Sequence, residues 1–299
     1  MANQIDLQIL LNEIAEKVKK GECILFLGAG VHAPPSGTDK YEYRESDRPL
    51  TSVELSKKIA GRCGFEKKFP NEPEISLQRT SLCFEMTPAL GRKALIDEIK
   101  KAVHVEKKPS PCLDMLAEMP FRIIVSTNYD HLFETSLQKF HKDYKRIVYE
   151  PESHHKTEDI YGEPPAPESP LVYKMHGDID KAESIVITDE DYITFIQRMS
   201  ENDAFHPIPE TVRFCMQKWS ILFIGYSLRD YNLRLLFRTL RWKIDPANFP
   251  PSFSVDKNPD PLIMQVLQDE QHIVAFVTND IWWFVPQLHR KVVGGSDNE

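Results

Sequence analysis

A chain of 299 residues holds one large domain or two modest ones with a sizeable buried core. Its formal net charge of −8 gives no overall attraction for nucleic acid, so no direct nucleic-acid binding is predicted. Five cysteines, odd in number and without a Cys-x-x-Cys pair, suit reduced thiols and exclude a Cys-rich zinc ribbon.

Residues 6 to 20 set Leu7, Leu10, Leu11, Ile14 and Val18 at helical spacing, and Gly21 ends that helix. Cys23 to Leu27 reads as the first strand; Pro34-Pro35 then bars an immediate helix, so the turn at Gly28 leads into a loop. From about 34 to 120 the pattern predicts an inserted helical module. Its helices run from a Thr51 or Ser52 cap through Cys63, then over 75–86, 88–103 and 110–118, with no strand among them. A strand at 123–126, a helix at 131–141 and a strand at 146–149 follow, then a surface loop rich in Pro, Glu and His over 151–170.

Strands at 171–175, 184–188 and 220–225 alternate with helices at 189–201, 206–218 and 230–242. A Pro-rich loop crosses 246–261; helix 262–269, strand 272–277 and helix 280–292 follow, and the tail from 294 to 299 reads as disordered. The alternation predicts an α/β fold, a parallel sheet with helices on both faces. The organisation expected is one domain over 1–299, with a core at 1–33 and 121–293 around the insertion. No apolar run approaches the ~18 residues of a membrane span. The first residues lack the build of a signal peptide, so the expected location is cytoplasmic, away from membranes.

Four strands each end in a polar or glycine-bearing motif, the place where open α/β sheets bind ligands. Gly28-Ala29-Gly30-Val31-His32-Ala33 fits the loose dinucleotide pattern, in which glycine lets backbone N–H groups approach a pyrophosphate. The same glycines also suit a turn without a ligand. Thr127-Asn128-Tyr129-Asp130 is either an Asn-Asp turn closing a strand or an amide oxygen placed to hold a water. His176-Gly177-Asp178 offers a proton acceptor at a strand end, with Thr188 and Tyr192 downstream. In Gly225-Tyr226-Ser227-Leu228-Arg229-Asp230, Ser227 can donate to phosphate and Asp230 can cap the next helix. Asp47 stands near the place of a ribose-binding acid, but the intervening prolines break that pattern, and His154-His155 looks like loop decoration.

In this order, over residues 24 to 232, the four motifs resemble the sirtuin-like NAD-binding domains. The resemblance implies a Rossmann-like sheet with a helical excursion after the first strand, and NAD as the substrate. It places Asn128 at the nicotinamide ribose, His176 as the base, and Asp130 orienting the Asn128 amide or bonding nicotinamide. Gly28, Ala29, Gly30, Val31, Thr127, Gly225, Ser227 and Leu228 fall at the cofactor, and Asn279 falls where the fold closes on adenine. The chain departs at His32, where the family carries Ser. Deacylases of the family bind structural zinc through paired Cys-x-x-Cys motifs, which this chain lacks. The resemblance therefore implies the zinc-less prokaryotic members: an NAD glycohydrolase that needs no metal and serves antiphage defence by depleting NAD. It also implies control by homo-oligomerisation or by a partner such as a hexameric DNA-translocase ATPase or an Argonaute-type sensor. A catalytically silent NAD- or ADP-ribose-binding scaffold and an NAD-dependent protein deacylase are the alternatives. Use of NADP would need an Arg at the 2′-phosphate, with Arg44, Arg48 and Arg229 as candidates.

Overall fold

The structure, a computed structural model, describes residues 2–35, 40–72, 75–152, 163–199, 206–226, 228, 250–267 and 274–294. Seven parallel strands form one sheet in the order β3-β4-β2-β1-β5-β6-β7. They are β1 Cys23–Leu27, β2 Ile123–Ser126, β3 Lys145–Val148, β4 Leu171–Lys174, β5 Ser220–Ile224, β6 Ser252–Val255 and β7 Val274–Val277. β1, β2, β4 and β5 are buried at every position, as befits strands covered on both faces. β3 begins with exposed Lys145 and Arg146, suiting an edge. The chain leaves β1 for β2 on one side and later returns to β5 on the other. The carboxyl ends of β2, β1 and β5 thus frame the topological switch point, where such sheets open a crevice.

Side-chain alternation sends β1 into two cores. Leu25 and Leu27 pack under α1 (Ala2–Lys19), α6 (Pro111–Glu118) and α7 (Leu132–Lys139), joined by the final helix, Ile281–Val292. Ile24 and Phe26 face the opposite core with α8 (Asp189–Met199) and α9 (Glu210–Lys218). Helices do cover both faces. With α10 at Pro261–Gln265, the final helix is α11.

A third core belongs to α2 (Ser52–Cys63), α3 (Phe65–Lys68), α4 (Leu77–Met86) and α5 (Gly91–Val103). Thr51 starts α2 with a capping box: its hydroxyl accepts from Glu54 N–H, and the Glu54 carboxylate accepts from Thr51 N–H at 2.7 Å. Leu55, Phe84 and Ile99 close against Ile179, Ile185 and Ile187, so these helices lean on the chain that follows β4. α6, within the stretch read as insertion, packs instead on the sheet.

Three readings of the sequence require correction. Residues 184–188 are not a strand: a 3-10 turn at Ala182–Ser184 leads into extended backbone. The apolar run looked like a strand because Ile185 and Ile187 enter the helical core while Val186 enters the sheet core. Conversely, β6 lies inside the presumed Pro-rich loop. A 3-10 turn at Ala29–His32 also replaces the loop expected after Gly28. The helix expected at 230–242, residues 153–162 of the surface loop and the tail from 295 lie outside the described residues. Among the described residues, no helix is long and apolar enough to cross a membrane.

Candidate active site

The switch point opens into a cleft of about 760 Å³. Its floor is the pair of turns after β1 and β5. Gly28 N–H donates to Ile224 O at 3.0 Å, and Gly30 N–H donates to Gly225 O at 2.8 Å. A Cβ on Gly28 would stand 2.5 Å from the Gly225 carbonyl, and Gly225 itself has φ +68 with its missing Cβ directed at the Val31 backbone. The glycines let two backbones touch, and the N–H groups of Gly28 and Gly30 are spent on protein carbonyls. That differs from the pyrophosphate approach expected of them. Ala29, Gly30 and Gly225 line the cleft, whereas the Val31 and Leu228 side chains lie in the cores. Ser227 lies outside the described residues.

One wall comes from the ends of β2 and β4. Asn128, Asp130 and His176 are each less than a tenth exposed, and all three line the cleft with Thr127, Tyr129 and Tyr192. Asn128 Nδ2 donates to Gly28 O at 3.4 Å, leaving Oδ1 buried without a hydrogen-bond partner among the described residues. Asp130 Oδ1 accepts from Leu132 N–H at 2.9 Å, and Oδ2 lies 3.3 Å from His32 Nε2. Burial alone would raise the Asp130 pKa. The His32 ring, the Lys174 ammonium and the Leu132 N–H outweigh it and hold the carboxyl well below the usual carboxylate range. Lys174, 1 % exposed, donates to the Asp130 carbonyl and pairs with buried Glu134 at 3.5 Å. The Tyr129 hydroxyl donates to Val186 O at 2.7 Å, tying the second motif to the chain beyond the third.

His176 is held by ring edges, with Tyr192 at 5.3 Å and Phe195 at 5.2 Å between centroids. Gly177 has φ +91, and a side chain there would fall on the Ser184 carbonyl. Asp178 turns away from the cleft. Its Oδ1 is 2.8 Å from His131 Nε2, and its Oδ2 is 3.2 Å from Arg146 Nη1. Burial would raise its pKa, but the His131 hydrogen bond, the Asp180 N–H and Lys174 lower it to about 2. His131, Asp178 and Asp180 bring potential metal ligands together, yet Arg146 Nη1 is also 2.8 Å from His131 Nε2, so a guanidinium already answers the cluster's charge.

The other wall, at β6 and β7, offers Asp256, Lys257, Asn279 and Asp280. Lys257 is 3.5 Å from Asp280, whose carboxylate caps α11 through Trp282 N–H at 2.8 Å. Reading the sequence missed Asp256 and Lys257 because it missed β6. His32 passed only as a departure from pattern, although it is 2 % exposed and packed between Asn128 and Asp130. Arg48 is bound to Glu54 by two 2.8 Å contacts, and Asp47 to Lys108 at 3.1 Å; neither Arg44, Arg48 nor Asp47 lines the cleft. Arg229 lies outside the described residues, as do His154 and His155.

A family model of the SIR2-like domain matches residues 122–276, spanning both motif-bearing strands of the buried wall and β5. The chain belongs to the SIR2-like family. This SIR2-like chain is 26% identical over 239 residues to NAD(+) hydrolase ThsA of Enterococcus faecium, covering 80% of the chain and 44% of that protein. It is 25% identical over 260 residues to Defense-associated sirtuin 2 of Bacillus subtilis, covering 86% and 23%. A third relative, NAD(+) hydrolase ThsA of Acinetobacter baumannii, is 25% identical over 234 residues, covering 78% and 42%. The SIR2-like chain thus spans less than half the length of each of these relatives.

Proposed function

We propose that the chain is an NAD glycohydrolase, cleaving NAD to nicotinamide and ADP-ribose, and that it acts in antiphage defence by depleting NAD. One observation carries the reading: Asn128, whose buried Oδ1 has no hydrogen-bond partner among the described residues, and His176 line one wall of a cleft at the switch point of a SIR2-like sheet. The names of the relatives, an NAD(+) hydrolase and a defense-associated sirtuin, support it.

In this reading the C1′–N bond of NAD breaks and nicotinamide leaves with the electron pair, so the ribosyl centre becomes oxocarbenium-like. Asn128 Oδ1 holds the attacking water, and His176 takes its proton. The wall's burial makes each of these interactions stronger than it would be in water. Ala29, Gly30, Thr127 and Gly225 line the path of the diphosphate, and Asn279 lies at the adenosine end. No metal enters the reaction. We further propose that the chain is a single domain and that its activity is gated by assembly, through homo-oligomerisation or a sensor partner such as a DNA-translocase ATPase or an Argonaute-type protein.

The test is nicotinamide release from NAD by the purified chain across protein concentration. Release that Asn128→Ala and His176→Ala each reduce by at least about 100-fold supports the reading, and a steep rise with concentration supports gating by assembly. NAD loss preserved in both variants overturns it. NAD binding without release, with the sensor partners present as well, would make the chain a scaffold instead.

A further inference from the structure

We propose that His32 is a positioning residue: by occupying the Asp130 carboxylate it keeps the Asn128 amide on Gly28, with its oxygen free of protein partners among the described residues. The inference rests on the hydrolase reading above, in which that oxygen holds water.

Three distances carry it. Asn128 Nδ2 lies 3.4 Å from the Gly28 carbonyl and 3.4 Å from His32 Nε2, and the same ring nitrogen is 3.3 Å from Asp130 Oδ2. A ring nitrogen either donates or accepts. Facing an ionised carboxylate with a lone pair is repulsive, so Nε2 carries a proton and donates a hydrogen bond to Asp130 Oδ2. The other carboxylate oxygen is taken by Leu132 N–H. Both oxygens of Asp130 are therefore engaged within the protein, and neither is left for Asn128 Nδ2.

The arrangement matters because Asp130 and Asn128 are two residues apart in a buried wall. An ionised carboxylate accepts more strongly than a carbonyl. Take His32 away, and Asp130 Oδ2 becomes the strongest acceptor near Asn128 Nδ2. The amide then leaves the Gly28 carbonyl, and Oδ1 moves with it. Serine at position 32 has a shorter side chain than histidine, so the device is specific to the histidine.

The experiment compares His32→Ala, His32→Gln, Asp130→Asn and the double variant His32→Ala/Asp130→Asn in steady-state nicotinamide release. It adds a long-range proton–nitrogen NMR spectrum of the His32 ring, which needs no turnover. Expected are a proton on Nε2 in the wild type and a kcat about 10- to 100-fold lower in His32→Ala, with KM for NAD within about threefold. His32→Gln keeps an N–H for Asp130 and recovers most of the loss. The double variant is no slower than His32→Ala alone, whereas independent roles would multiply the losses. A bare Nε2 overturns the proposal whether or not NAD is cleaved. So does a His32→Ala chain within twofold of wild type while Asn128→Ala and His176→Ala are inactive, an outcome that leaves the hydrolase reading standing. Failure of Gln to do better than Ala also overturns it. A protonated Nε2 in a chain that cleaves no NAD would sink the hydrolase reading and leave the His32–Asp130 contact intact.

Discussion

On the β2–β4 side of the cleft, Asn128, Asp130 and His176 are less than a tenth exposed and are held by buried His32, Lys174 and Phe195 and half-buried Tyr192. On the β5–β7 side, Gly225 and Asn279 are half-buried, Lys257 is 61 % exposed, and the fixing contacts are backbone turns. The contrast separates two tasks. Groups that face a reacting centre need a fixed geometry and little water around them. Groups that hold a charged, hydrated diphosphate and a ribose need to be reached from solvent. One sheet supplies both because its order reverses at β1, which sets the ends of β2 and β4 on one side of the cleft and those of β5, β6 and β7 on the other.

The sharpest way to break the comparison is to remove one lysine from each wall. Lys174→Met strands Glu134 as an unpaired buried charge and should cost about 3–5 kcal/mol in denaturant unfolding. Lys257→Met removes an exposed pair and should cost less than about 1 kcal/mol. Similar costs at the two positions would show that the walls are not built differently.

The floor is tested with a pair of glycines. Gly225→Ala combines a left-handed backbone with a Cβ aimed at Val31 and should cost about 2–4 kcal/mol. Gly61→Ala, in the interior of α2 with open space around its missing Cβ, should stabilise by about 0.5–1 kcal/mol. A harmless Gly225→Ala would mean that the β1 and β5 turns need not touch.

A further effect is expected in acid. Asp178 titrates near 2 rather than its ordinary 3.8, so its folded-state pKa is depressed. Its stabilisation is complete above the unfolded value and is lost as pH falls from about 4 towards 2, amounting to about 2 kcal/mol. Asp130, also depressed, loses its share in the same direction. Asp178→Asn should flatten the unfolding profile in that window. An unchanged acid limb would contradict the His131–Asp178 contact.

How far the sequence discloses all this depends on where each residue finds its partners. β1, β2, β4 and β5 are apolar almost throughout because both faces are covered, and they are legible as strands. β6 reads Ser-Phe-Ser-Val behind two prolines; its serines are fully buried, so composition hides it. Asn128 and His176 stand at strand ends and could be picked out. His32 could not, because its two partners lie about a hundred residues downstream and only the sheet order brings them together. The glycine turns after β1 and β5 are both legible, while their contact with each other is visible only in the fold.

The most direct measurement is the position of NAD bound to the His176→Ala chain, determined by crystallography. The account places the nicotinamide ribose within hydrogen-bond reach of Asn128 Oδ1 and beside residue 176, with the adenosine towards Asn279 and Lys257. NAD lying in the reverse sense, or outside this cleft, would contradict the division of the two walls into one that reacts and one that holds.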